Sequence, residues 1–387
     1  MARNPGSQTA LRDRNVKRVI EALRAERACT QAELARCTGL STATVSNIVH
    51  SMVDRGLATT SPTTSSGRRA RLVRLDGRGA IQVGIDIGRR HVRVVLASLG
   101  FEVIAERSVA LPRGHRAEEG VGAAANLLSA LLEENAVDPG CVLGVGVGIP
   151  GPIDRRSGTV VGGAILPEWV GLDVVRAFDA RLPFPVYIDN DANLGALAEV
   201  TWGAHTSAAN LVFLKMASGI GCGLVVNGAP FHGNIGIAGE IGHAAISDTG
   251  PLCRCGNRGC LETVASTSMM IDALGGAESA PITVEDIVRH ALDGDTATLR
   301  VLDDAGFAVG RALAIVVNLI NPEVVVIGGP LAVLGEILLG PIRRGLLRYA
   351  VPLAGEATTL AVSSLGERAE VLGAVALVAR QSGMSFA

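Results

Sequence analysis

Residues 239–262 read Gly239-Glu240-Ile241-Gly242-His243-Ala-Ala-Ile-Ser-Asp-Thr-Gly-Pro-Leu-Cys253-Arg254-Cys255-Gly256-Asn257-Arg258-Gly259-Cys260-Leu261-Glu262, which places one histidine and three cysteines in the pattern H-x9-C-x-C-x4-C. Zinc prefers four nitrogen or sulfur ligands in a tetrahedron, and glycines between the cysteines let a short loop wrap the ion without side-chain clashes. The spacing therefore predicts zinc on His243, Cys253, Cys255 and Cys260. Four protein ligands leave no position for water, so the metal is expected to be structural, holding a loop whose neighbours do the binding. The other cysteines, Cys29, Cys37, Cys141 and Cys222, have no such company and read as core residues.

Outward from this segment the chain alternates apolar runs with glycine punctuation. Runs at 81–87, 92–97, 142–149, 186–188 and 211–214 read as buried strands, and stretches at 118–133, 173–181 and 192–199 read as helices between them, giving an α/β body. A long helix over about 296–318 precedes another strand at 324–327, which ends in Gly328-Gly329. Two glycine-ended strand units so far apart suggest a duplicated, two-lobed body with a cleft between the halves.

Toward the N-terminus the periodicity is helical. Val16, Val19, Ile20 and Leu23 make one apolar stripe within 15–27. Thr30 can cap a second helix, Thr38-Gly39-Leu40 makes a turn, and Ser41 can cap a third helix that turns Val45, Ile48, Val49 and Met52 inward. A strand from Leu57, a polar turn-rich stretch and an apolar strand through Leu72, Val73 and Leu75 complete a winged helix-turn-helix. Its third helix exposes Thr42, Thr44, Ser46 and Asn47, small and polar as the first turns of a recognition helix in a major groove require. Asn47 offers a donor and an acceptor together and is the best single candidate for a base contact. Arg68 and Arg69, after Gly67 at the wing tip, are placed to reach the minor groove or adjacent phosphates.

Charge divides the chain at the same place. Residues 1–78 carry 14 Lys and Arg against 6 Asp and Glu, net +8, whereas 79–387 carry 21 against 31, net −10. A basic head on an acidic body suits a module that touches phosphate backbones joined to one that does not. The expected domains are a DNA-binding head, 1–78, and a ligand-binding body, 79–387. The first 30 residues are charged throughout and lack the apolar core of a signal peptide, and no apolar run approaches the ~20 residues of a membrane span, so a cytoplasmic protein is expected.

The segment 239–262 resembles the zinc and sugar signature of the ROK family, which groups bacterial sugar repressors and sugar kinases. Asp189-Asn190-Asp191-Ala192-Asn193 is similar to the family's catalytic segment, Ile149-Pro150-Gly151-Pro152 to its hinge loop and Asp86-Ile87-Gly88 to its first phosphate loop. The likeness covers 80–387, and the winged head is what the repressor branch adds in front. It implies a two-lobed actin-like, hexokinase-type ATPase fold and a homodimer or homotetramer. It also implies that Asn190, Asp191, Glu240, His243 and Glu262 hydrogen-bond sugar hydroxyls, with Gly151 offering backbone contact. One departure falls at 164–169: where the family often has Pro-Asn-Leu-Pro-Gly-Trp, this chain has Ala164-Ile165-Leu166-Pro167-Glu168-Trp169, and Ile165 cannot supply the amide.

The same resemblance raises an alternative, an ATP-dependent sugar kinase with an added head. Asp191 stands at the kinase-base position. The phosphate cradle does not match: kinases of the family read Asp-x-Gly-Gly-Thr, and this chain reads Asp86-Ile87-Gly88-Arg89-Arg90-His91, so long side chains stand where glycine permits close approach to phosphate. Ala217-Ser218-Gly219-Ile220-Gly221 replaces the second loop's Gly-Thr-Gly-x-Gly. The expectation is a sugar-responsive repressor without enzyme activity, binding double-stranded operator DNA and a sugar or sugar phosphate. The short join from Leu75 to Gln82 is expected to transmit cleft movement to the head.

Overall fold

The computed structural model describes residues 8–65, 68–161, 166–275 and 282–382. The head begins with α1 (Gln8–Glu26), which extends further toward the N-terminus than its apolar stripe and buries Val16, Val19, Ile20 and Leu23 in the core. A capping box starts α2 (Gln31–Thr38): Glu33 N donates to Thr30 Oγ1 at 3.3 Å, and Thr30 N donates to Glu33 Oε2 at 2.7 Å. Gly39, at φ +65°, turns the chain. Ser41 then caps α3 (Thr42–Asp54) by accepting from Thr44 N at 3.1 Å. Strands β1 (Cys29–Thr30), β2 (Ala58–Ser65) and β3 (Arg68–Leu75) form an antiparallel sheet in the order β1-β3-β2, which is the wing. Gly67 lies outside the described residues.

In the body one strand order occurs twice. The first sheet takes β4 (Ile81–Ile87), β5 (His91–Ser98), β6 (Val103–Ala110), then, after α4 (Ala117–Glu134), β7 (Val142–Ile149). A small ladder of β8 (Ile153–Asp154) and β9 (Thr159–Val160) and the short helix α5 (Val174–Asp179) lead to β10 (Val186–Asn190) and α6 (Asp191–Glu199). The second sheet takes β11 (Leu211–Met216), β12 (Ile220–Val226), β13 (Ala229–Pro230), β14 (Val324–Gly328) and β15 (Thr359–Val362). The orders are β6-β5-β4-β7-β10 and β13-β12-β11-β14-β15. In each, the first three strands in sequence pair antiparallel and the next two add parallel. Repetition of one topology is the duplication that the glycine-ended strands foreshadow. The remaining helices, α7 (Glu262–Ala265), α8 (Thr267–Leu274), α9 (Val284–Leu292), α10 (Thr296–Ile320), α11 (Glu336–Tyr349), α12 (Pro352–Ala357) and α13 (Ala369–Gln381), belong to the second half of the chain.

The two lobes exchange helices. α6 follows the first sheet but packs on β11 and β12 of the second, while α13 follows the second sheet and packs on β4, β5 and β7 of the first. The two helices cross between the lobes at van der Waals contact of their backbones. A Cβ at Gly373 of α13 would lie 1.9 Å from the Leu194 carbonyl oxygen of α6, and on the other side of α13 one at Gly146 of β7 would lie 2.0 Å from the Ala374 carbonyl oxygen. A side chain at either position would push α13 away from its neighbour, which explains the glycine in otherwise apolar runs.

The head does not hang on a loose linker. Ala80 and Leu99 of the body are fully buried in one apolar core with Val16, Leu34, Val45 and Val73 of the head. Cys29 and Cys222 are buried as expected, but Cys37 is exposed on α2 and Cys141 only half-buried, since neither lies on the inward stripe of its segment. Among the described residues no helix is long and apolar enough to cross a membrane.

Candidate ligand cleft, metal centre and nucleic-acid interface

A cavity of about 760 Å³ lies between the lobes, and all six expected sugar-contact residues, Gly151, Asn190, Asp191, Glu240, His243 and Glu262, line it. Their chemistry is uneven. Asn190 caps α6, its Oδ1 accepting from Ala192 N at 2.9 Å and Asn193 N at 3.3 Å, while its Nδ2 donates to the Gly151 carbonyl at 2.9 Å. One N–H of its amide is left for a ligand. Glu262 Oε2 accepts from Ile220 N at 3.2 Å and Oε1 pairs with Arg254 Nε at 2.9 Å, so both oxygens already have one partner. Glu240 is the least committed carboxyl. Burial, with the charges of Asp191 and Glu262, pushes it up to about 7. It can donate or accept near neutrality.

The segment carrying Glu240 and His243 lies directly on β12. A Cβ at Gly239 would be 2.0 Å from the Cys222 carbonyl oxygen, and Gly239 has φ +97°. Glycine is what lets both side chains reach the cavity from so close a backbone.

Lys215, at the end of β11, had no part in the sequence reading. The strand runs two residues beyond its apolar stretch at 211–214 and carries this ammonium into the cavity wall. Its Nζ lies 2.8 Å from Asp191 Oδ2 and 2.9 Å from Glu370 Oε1. Burial works against the charge, but Asp191, Glu370 and Asp86 outweigh it and hold Lys215 well above the ordinary lysine range. Nearby, His91 Nε2 is 2.8 Å from Asp86 Oδ2. Burial alone would raise Asp86; the hydrogen bond and charge of His91 hold its carboxyl below the usual range instead.

The four expected metal ligands present their donor atoms within 4.8 Å of one another. Cys255 Sγ and Cys260 Sγ are 3.7 Å apart, and Cys253 Sγ is 3.5 Å from His243 Nδ1. A tetrahedron built with ordinary zinc–sulfur and zinc–nitrogen lengths has edges of roughly 3.8 Å and 3.6 Å. The donor set fits zinc. His243 turns Nδ1 to this cluster and Nε2 toward Glu240, 3.8 Å from its Oε2, so one ring faces the cysteine cluster and the cavity at once.

On the head, Thr42 and Asn47 are exposed on α3, while Thr44 and Ser46 are half-buried. The Thr44 hydroxyl is 2.8 Å from Ser41 Oγ and serves the cap, which leaves less of it for a base edge. His50, exposed one turn beyond Asn47, belongs to the same face, and i+3 spacing alone marks it. Arg68 opens β3, and the exposed Arg69 follows it.

Head and body also meet through charge and rings. Arg24 of α1 donates from Nε to the Leu99 carbonyl at 2.8 Å and lies over the Phe101 ring at 3.9 Å. Phe101, at φ +65° in the turn between β5 and β6, packs against Trp202 just past α6, centroids 4.9 Å apart and rings tilted by 40°. Burial lowers the Arg24 guanidinium to about 10, Glu21 pulling the other way.

The profile of the ROK family matches residues 82–381. The chain belongs to the ROK family. A MarR family profile matches residues 13–69, the winged head. A putative xylose repressor of Caldicellulosiruptor sp. (strain Rt8B.4) is 30% identical, over 96% of this ROK chain and 97% of its own length. A solved ROK family transcriptional regulator, a homologue of the E. coli MLC protein, superposes with a TM-score of 0.81 at 26% identity, covering 97% of this chain and 98% of that one. A ROK family glucokinase from Streptomyces griseus, in complex with glucose and AMPPNP, reaches a TM-score of 0.68 at 26% identity and covers 76% of this chain and 98% of its own. The regulators thus match head and body together, and that kinase matches without the head.

Proposed function

We propose that this ROK protein is a sugar-responsive transcriptional regulator, a cytoplasmic repressor of carbohydrate-metabolism genes. In this reading the head, residues 1–78, binds operator DNA and the body, 79–387, binds a sugar or sugar derivative in its cleft. The observation that carries it is the single apolar core shared by the winged head and the first lobe, which couples a DNA reader to a ligand cleft without slack. Asn47 reads a base, assisted by Thr42, Thr44 and Ser46, while Arg68 and Arg69 hold the backbone or minor groove. In the cleft, Asn190, Asp191, Glu240, His243 and Glu262 meet hydroxyls, and Gly151 offers backbone. His243, Cys253, Cys255 and Cys260 would hold a zinc ion, which would cross-link the loop and fix the orientation of the imidazole.

The route between the sites runs along α6. Its cap Asn190 and first residue Asp191 face the cavity, and Trp202 beyond its last turn supports Phe101 and, through it, Arg24 of the head. Closure of the lobes on ligand moves α6 and shifts the head, so that paired heads no longer fit successive major grooves. Two heads require two protomers. A second copy of the chain covers the apolar face of Ile315, Leu319, Leu347 and Leu353, of which Leu319 is 79% and Leu353 78% exposed.

Sedimentation of the protein with a duplex selected from a random library tests this. Two protomers per duplex are expected, and Asn47→Ala is expected to weaken binding at least tenfold. One protomer per duplex, or an Asn47→Ala affinity within twofold of the parent, would contradict the reading.

A further inference from the structure

The cavity holds cations that its carboxylates do not consume. Arg89 and Arg90 form the tip of the turn from Gly88 to His91, closed by Gly88 N donating to the His91 carbonyl at 2.9 Å. Leu111 N donates to the Arg90 carbonyl at 2.7 Å, which ties the loop carrying Arg113 beside that turn. All three arginines line the cavity. Among the described residues none of them has a side-chain hydrogen bond or ion pair, although each can make several.

The neighbouring charges are satisfied in contrast. Lys215 answers Asp191 and Glu370, Arg93 answers Glu106 and Glu367, Arg254 answers Glu262, and His91 answers Asp86. The inner carboxylates Asp86, Asp191, Glu262 and Glu370, which would otherwise repel an anion or recruit a divalent cation, are neutralised by the protein's own side chains. The outer arginines are not. Burial and the charges of Arg113, Arg254 and Arg90 together hold Arg89 below the ordinary arginine range, with Glu168 the opposing carboxylate. Crowded guanidinium groups of this kind are relieved by a bound oxyanion, which their planar forks grip through paired N–H groups.

We propose that Arg89, Arg90 and Arg113 form an anion subsite for the phosphate of a phosphorylated monosaccharide, bound without a divalent cation, while its hydroxyls reach Asp191, Glu240 and His243. Arginine replaces the close backbone approach that glycine would permit, and Lys215 stands among the carboxylates that a metal would otherwise bridge. This inference rests on the sugar-cleft reading given above.

Isothermal calorimetry on the full-length, zinc-loaded protein, with no added magnesium, separates the two. The probes are inorganic phosphate, several aldohexoses, their 6-phosphates, and ATP. The phosphorylated sugar is expected to bind at least tenfold tighter than its parent sugar, unchanged by added magnesium, with inorganic phosphate weaker but measurable. In Arg89→Gly/Arg113→Ala the ratio of the two affinities is expected to fall to within threefold. Arg113→Ala alone, on an exposed loop, is expected to lower that ratio by at least threefold and covers the case in which the double variant does not fold. Equal affinity for sugar and sugar phosphate, a preference that survives these substitutions, or tighter binding of ATP with magnesium would overturn the anion subsite while leaving the sugar cleft standing. Heat from none of the sugars or their phosphates would overturn the cleft reading itself.

Discussion

Lys215 decides what Asp191 can do. A general base must turn a carboxylate oxygen toward the attacking hydroxyl, and here Oδ2 holds an ammonium at 2.8 Å that Glu370 also anchors. The turn from Gly88 to His91 also has Arg89 where the kinase pattern Asp-x-Gly-Gly-Thr has its second glycine. With ATP and any hexose, no ADP is expected above the protein-free rate in a coupled assay; steady ADP formation that Asp191→Ala abolishes would contradict this. His243 carries the second residue-scale consequence. Its ring joins the cysteine cluster to the cavity, so losing a zinc ion held there would free the loop and the side chain together. Dialysis against a strong chelator, or Cys253→Ser, is expected to lower the melting temperature by ~5 °C or more and to weaken ligand binding at least tenfold, with DNA binding by the head less affected. A calorimetric melt unchanged on zinc removal would contradict a structural ion.

α6 is the element on which the proposed coupling turns, since it begins in the cavity and leads, just past its last turn, to Trp202 against the Phe101 ring. Trp202→Ala removes the support without touching either binding surface. Operator affinity and ligand affinity measured separately are expected to stay within about threefold, whereas the effect of ligand on operator affinity is expected to shrink toward none, a loss of ~1 to 3 kcal/mol of coupling. An Arg24→Ala/Trp202→Ala double-mutant cycle that gives additive changes in coupling would contradict the route. This element shows what local pattern can and cannot reveal. Helix 192–199 was legible from its residues, as were the caps at Thr30 and Ser41, because capping and apolar stripes are short-range. Its transfer to the other lobe, its crossing with α13 and its bridge to Arg24 were not, because they depend on close approach between segments far apart in the chain. Strand β6 escaped for another reason: as an exposed edge strand carrying Glu106 and Arg107 it lacks clean alternation. Lys215 was missed because a charge after four apolar residues reads as the end of a strand, not as its functional tip.

At the scale of the molecule, a basic head and an acidic body share one apolar core, and α6 and α13 meet between the lobes at Gly373 and Leu194. The metal cluster and the cavity-lining set were readable in advance from spacing and resemblance, while the unpaired arginines acquired meaning only once their neighbours' charges were seen to be spent. The central claim is that filling the cleft changes how the head holds DNA. Fluorescence anisotropy of a labelled operator duplex, titrated with full-length protein with and without the calorimetrically best sugar ligand at saturation, tests it most directly. The account requires the ligand to shift the operator dissociation constant at least fivefold, whereas superimposable isotherms with the cleft demonstrably filled would contradict it.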